Sequence, residues 1–154
     1  MRQAISYLEK SNGSDEQIAQ SLINIGYRFS DPDSALHYYN QAVNMISAEY
    51  SPVVTIAAYN NMAYCYLENG DLKNAEKCIL EQALKVAIKT NNIDWKSTVY
   101  DTYADILQRK GNSTEAMVYK KKAIEAKETY LALVSPILIG AKNNWSRKSY
   151  NNKI

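Results

Sequence analysis

Apolar residues recur along this chain at helical steps of three and four, in successive blocks separated by polar punctuation. Gln3 to Lys10 predicts a short amphipathic helix carrying Ala4, Ile5 and Leu8, ended by Ser11-Asn12-Gly13. Ser14, with Gln17 three residues on, has the form of a capping box, and the helix it opens runs through Ile18, Leu22, Ile25 and Phe29. Asp31-Pro32 opens a second block with inner positions Ala35, Tyr38, Tyr39, Ala42, Val43 and Ile46. Ser51-Pro52 repeats that device for a third helix ending at Gly70. Asp71 caps the fourth, which carries Ala75, Ile79, Ala83, Val86 and Ala87 and breaks at Asn91-Asn92. The fifth holds Trp95, Val99, Tyr103, Ile106 and Leu107 and stops at Gly111. Asn112 and Glu115 open the sixth, expected over about 113–134 and ended by Pro136. A short helix over 136–144 would then cover the open end, leaving 145–154 as a basic, disordered tail.

The blocks also repeat one another. Ala35, Ala75 and Ala116 are 40 and 41 residues apart, each after a similar run: Asn24-Ile25-Gly26-Tyr27, Asn61-Met62-Ala63-Tyr64 and Thr102-Tyr103-Ala104-Asp105. A period of this size predicts a stack of helical hairpins in which no unit buries its apolar face alone. The units fall at about 14–50, 51–92 and 93–134, after a partial unit over 1–13. Gly26, Ala63 and Ala104 on the first helices, and the three alanines on the second, let paired helices approach closely.

Composition narrows the chemistry. The 154 residues suit one domain, and a net charge of +2 is too balanced for a chain whose main task is to bind nucleic acid. Five Gly and three Pro disfavour a turn-rich all-β fold. Thirteen Tyr against one Phe suit a thin stack with much wet surface. Cys65 and Cys78 are expected as buried small hydrophobes, not a disulfide framework. His37 is the only histidine, so no metal set is expected, and it is read as a structural residue. The longest apolar stretch, Tyr130 to Ala141, is too short to cross a membrane, and a cytoplasmic location is expected. There is no phosphate loop, nucleophile elbow or defensible triad, so no enzyme, cofactor or small-molecule substrate is expected. Lys120-Lys121-Lys122 reads as a solvated outer face offset by Glu125 and Glu128.

The unit resembles the tetratricopeptide repeat, a helix–turn–helix of about 34 residues. The pattern is carried by Ile25-Gly26, Phe29, Ala35, Tyr39 and Ala42; by Met62-Ala63, Tyr66, Gly70 and Ala75; and by Tyr100, Tyr103-Ala104, Leu107, Gly111, Ala116, Tyr119 and Ala123. The resemblance implies an all-α, right-handed α-solenoid of about three repeats with a short capping helix. There are departures: a longer period, a first turn about three residues shorter and without glycine, and Ala83 one step late in the second repeat. Long repeats of this kind are similar to those of kinesin light chains and of the peptide-sensing arrays of bacterial regulators.

The resemblance further implies that the first helix of each repeat lines a concave groove for a peptide or partner protein. That places Asn24 and Tyr27, then Asn60, Asn61, Tyr64 and Glu68, then Thr98, Asp101, Thr102 and Asp105 at the site. Asn24 and Asn61 take equivalent places, filled by Thr102 in the third repeat, and an asparagine amide matches the edge of an extended peptide. Glu68, Asp101 and Asp105 would favour a basic segment over an acidic one. The family's clamp for acidic chaperone tails needs cationic groove residues, where this chain has Ile23, Ala57 and Thr98. The expected function is a protein-binding module, in one version the sensor part of a bacterial signalling or transcription regulator. The alternative is a structural protein that self-assembles, for instance as a homodimer, through its end faces.

Overall fold

The computed structural model describes residues 14–151, with side chains described through 137. The helix expected over Gln3–Lys10 lies outside them. The described chain forms six helices, and among the described residues there is no strand. They are α1 (Asp15–Gly26), α2 (Pro32–Met45), α3 (Pro52–Glu68), α4 (the contiguous segments Leu72–Lys77, Cys78–Ala83 and Leu84–Lys89), α5 (Ile93–Arg109) and α6 (Ser113–Asn151). Consecutive helices pair as hairpins, α1 with α2, α3 with α4 and α5 with α6. The first helices also touch in turn, α1 against α3 and α3 against α5, while α2 packs on α3 and α4 on α5.

The helix starts follow local chemistry. Ser14 accepts from the Gln17 amide while the Gln17 side chain returns to Ser14, completing the capping box. Asp31 accepts from the hydroxyl and amide of Ser34, and Asp71 from the amide and side chain of Asn74, and these hydrogen bonds hold both carboxyls below their ordinary range. Asn92, read from the sequence only as part of a break, also caps α5 through the Trp95 amide. Ser51 departs from expectation. Its side chain makes no cap bond; the residue is buried, and its carbonyl receives both the Thr55 amide and the Thr55 hydroxyl. Three helix ends close alike, with Gly70, Asn91 and Gly111 at positive φ and the next amide reaching back to Tyr66, Ala87 and Leu107.

Small residues set the spacing of the stack. Ala35, Ala75 and Ala116 are all buried, as are Gly26, Ala63 and Ala104. The bulk between them comes from Ile56, Ile79, Val99, Ile106 and Leu107, each fully buried. The late alanine of the second repeat has a structural answer. Ala35 to Ala42 and Ala116 to Ala123 span seven residues, but Ala75 to Ala83 spans eight. Cys78–Ala83 is wound as π-helix, which absorbs the extra residue and returns both Ala75 and Ala83 to the buried face. Deleting exposed Glu81 should therefore be tolerated, with Tm kept within about 4 °C. Deleting Asn40 between Ala35 and Ala42, where there is no surplus residue, should unfold α2. Thermal melts of the two deletion variants check this.

Helix α6 runs through Pro136 to Asn151, so the expected break, the separate cap over 136–144 and the disordered tail from 145 are replaced by one helix as far as Asn151, with 152–154 outside the described residues. The proline removes a single bond to the carbonyl four residues back. Ala132, Leu133, Ser135 and Ile137 are all exposed there, so solvent can serve that carbonyl and a slight bend disturbs no packed neighbour.

Candidate peptide-binding site

The first repeat holds a half-open cavity of about 250 Å³ between its inter-helix turn and α3. It is lined mainly by apolar groups, and its walls include Tyr27, Phe29, Pro32, Tyr39, Asn61 and Tyr64, with Cys65 and Glu68 beside them. Gly26 makes it possible. A Cβ on Gly26 would stand 2.6 Å from the Tyr39 ring, so the bare backbone is what lets that ring lie down as the buried floor. The short first turn then brings Phe29 and Pro32 to the wall, with Phe29 stacked on Tyr38 at 5.2 Å. Tyr27 is 79% exposed and Tyr64 38% exposed, so two aromatic rings stand in solvent at the rim.

Four residues expected at the site from the sequence meet here: Tyr27, Asn61, Tyr64 and Glu68. Asn24 is exposed on α1, one helical turn from Gln20, whose amide donates to it at 3.2 Å. Thr98 is exposed on α5. Two expected residues are not available. Asn60 is buried, its Oδ1 without a partner among the described residues, because it stands about 100° round α3 from Asn61 and faces the core. Thr102 is fully buried, and its hydroxyl returns to the Thr98 carbonyl at 3.1 Å, which satisfies the group inside the stack. Asp101 and Asp105 are half-exposed but engaged, since Lys120 of α6 sits 2.7 and 2.8 Å from their carboxylates. That lysine is held charged by the two acids against the opposing effect of burial. Glu68 has only a loose exposed contact with Arg109 at 3.9 Å, leaving it the acid most open to a ligand.

The lysine run is therefore not a plain solvated face. Lys120 bridges to α5, Lys122 lies 4.4 Å above the Tyr119 ring, and Lys121 approaches Glu125 at 3.9 Å. His37 is exposed, set edge-on to Tyr38 and within reach of Gln41. Cys78 is buried and Cys65 half-buried, both free, and burial pushes both thiols up to about 11. They are neutral thiols near pH 7, poor as nucleophiles or metal ligands. Among the described residues there is no cluster of three metal-ligating side chains, and no helix is long and apolar enough to cross a membrane.

Burial likewise pushes the phenols of Tyr39 and Tyr103 up to about 12; Asn61 works against the shift at Tyr39, and Glu76 adds to it at Tyr103. All four groups hold their protons more tightly folded than unfolded, so their stabilising contribution is complete at neutral pH, begins to fall as the unfolded chain ionises, near 9 for the thiols and 10 for the phenols, and is gone once pH has passed about 11 to 12. Urea midpoints should fall over that alkaline interval, together with the rise of tyrosinate absorbance.

Sequence reasoning missed Phe29, Pro32, Tyr39 and Cys65 as site residues. Their only signal was the shortened, glycine-free first turn. No curated protein sequence matches the chain. A family model for the tetratricopeptide repeat matches residues 54–129, from the start of α3 into α6. With the hairpin stack, the buried alanines and that match together, the stretch 54–129 belongs to the tetratricopeptide repeat family.

Proposed function

We propose that the protein captures an extended segment of a partner polypeptide along the row of first helices, α1, α3 and α5, and anchors one large apolar side chain in the cavity of the first repeat. The family's general role in protein–protein interaction supports the class of partner. The observation that carries the anchor is the aromatic-rimmed cavity, whose floor is buried Tyr39 and whose polar groups include Asn61 and Glu68. The Asn61 amide can bond a peptide backbone whatever the side chain, and Asn24 offers a second such group on α1. Glu68 favours a Lys or Arg next to the anchor, whereas the pairing of Asp101 and Asp105 with Lys120 weakens their pull. The protein acts by holding, not by chemistry. Such capture would also serve the sensor part of a bacterial regulator, with the signal read by a separate polypeptide.

Selection from a random peptide library should return sequences with one aromatic or long aliphatic residue beside a basic one. For a selected peptide, Asn61→Ala and Tyr64→Ala should each raise Kd by about tenfold or more, as loss of a central contact does. Unchanged affinity in both variants would discard the cavity as the anchor.

A further inference from the structure

We infer that the exposed flank of α6 pairs two copies of the chain about a two-fold axis. The residue after each repeat alanine marks one face of the second helices. In α2 these are Leu36 and Val43, buried and half-buried where α2 packs on α3. In α4 they are Glu76 and Leu84; α4 packs on α5, and Glu76 receives Lys110 at 2.8 Å and the Tyr103 hydroxyl at 3.4 Å. In α6 the same positions hold Met117 and Ile124, 74% and 59% exposed, and seven residues further on stands Leu131, 50% exposed. The third repeat thus presents, in apolar form, a face that the first two repeats cover with the next hairpin.

What fits this face can be read from charge and from the opposite end of the stack. Among the described residues a head-to-tail partner would offer α1, whose solvent side carries Gln17, Gln20, Ser21 and Asn24, with no apolar stripe to match. Met117, Ile124 and Leu131 at seven-residue steps form the seam of a helix-to-helix pairing. In a parallel pair, Lys121 would face Lys121 and Glu128 would face Glu128. In an antiparallel pair centred near Ile124, Met117 meets the second copy's Leu131, and Glu128 falls within a helical turn of the second copy's Lys120 and Lys121. Glu128 has no ion-pair partner among the described residues, and Lys121 has only its 3.9 Å contact with Glu125. Opposite charges therefore select the antiparallel two-fold arrangement, which closes at two copies and leaves the first-repeat cavity open.

Sedimentation equilibrium of the full chain at tens of micromolar should give twice the 17.4 kDa chain mass. Ile124→Glu, at an exposed position, should return the monomer mass with an unchanged circular dichroism spectrum. Glu128→Lys alone should weaken pairing by about tenfold or more, and adding Lys121→Glu should restore it. The charge exchange carries the test should Ile124→Glu disturb folding. A monomer at these concentrations, pairing that survives both single variants, or a mass that climbs beyond two copies with concentration overturns the inference.

Discussion

Ile79→Ala is expected to cost about 4 kcal/mol, lowering Tm by about 12 °C. Ile79 is fully buried within the π-wound turn of α4, which packs against both α3 and α5. Two repeats meet there, so truncation removes a side chain shared by both. The π turn also resists collapse onto the gap, because its winding is what keeps Ala75 and Ala83 on one face. A stack is stabilised mainly by contacts between neighbouring units, so the loss should also broaden the transition as the repeats begin to unfold separately. Calorimetry reads both effects. A loss below about 1 kcal/mol would mean that the core at this junction is far looser than its burial indicates.

Gly26→Ala should destabilise the protein by about 2 kcal/mol, although alanine is the better helix former by about 1 kcal/mol. The new methyl would lie 2.6 Å from Tyr39 Cε1 and 3.0 Å from Cδ1. Tyr39 is buried, so its ring can yield only into the cavity it floors. The variant should therefore lose peptide capture as well as stability, and Gly26→Ala with Tyr39→Leu should recover stability without recovering the original peptide preference. Urea melts and peptide titrations on the single and double variants separate the two losses. A Gly26→Ala protein more stable than the parent would show that the small residue is not needed for the helix approach.

The fold was largely legible because its signals are local. Helical steps, the caps at Ser14, Asp31 and Asp71, and the glycines at 70 and 111 each act within a few residues of chain. The spacing of small residues then marked the faces where helices meet. The remainder depends on how helices are rotated against one another. Asn60 and Asn61 are equally polar in sequence, yet only Asn61 borders the cavity, and that follows from the turn of α3 against α1 and α2. Asp101 and Asp105 read as open carboxylates because Lys120 lies on the next helix and reaches them only once the hairpin closes. Ala83 one step late was visible as an irregularity, but the π winding that absorbs it depends on the shared core of α4. Pro136 was read as a stop from its local cost, a missing amide and a restricted preceding residue, but in a helix of 39 residues that cost falls on one turn whose exposed surroundings leave room for a bend.

The anchor in the first repeat is tested most directly by mapping amide and side-chain NMR shifts while a library-selected peptide is titrated into the isotope-labelled protein. The account predicts that the largest changes fall on Tyr27, Tyr39, Asn61, Tyr64 and Glu68, with α6 little affected. Shifts concentrated on α6, or spread evenly over the stack with the cavity residues unmoved, would contradict it.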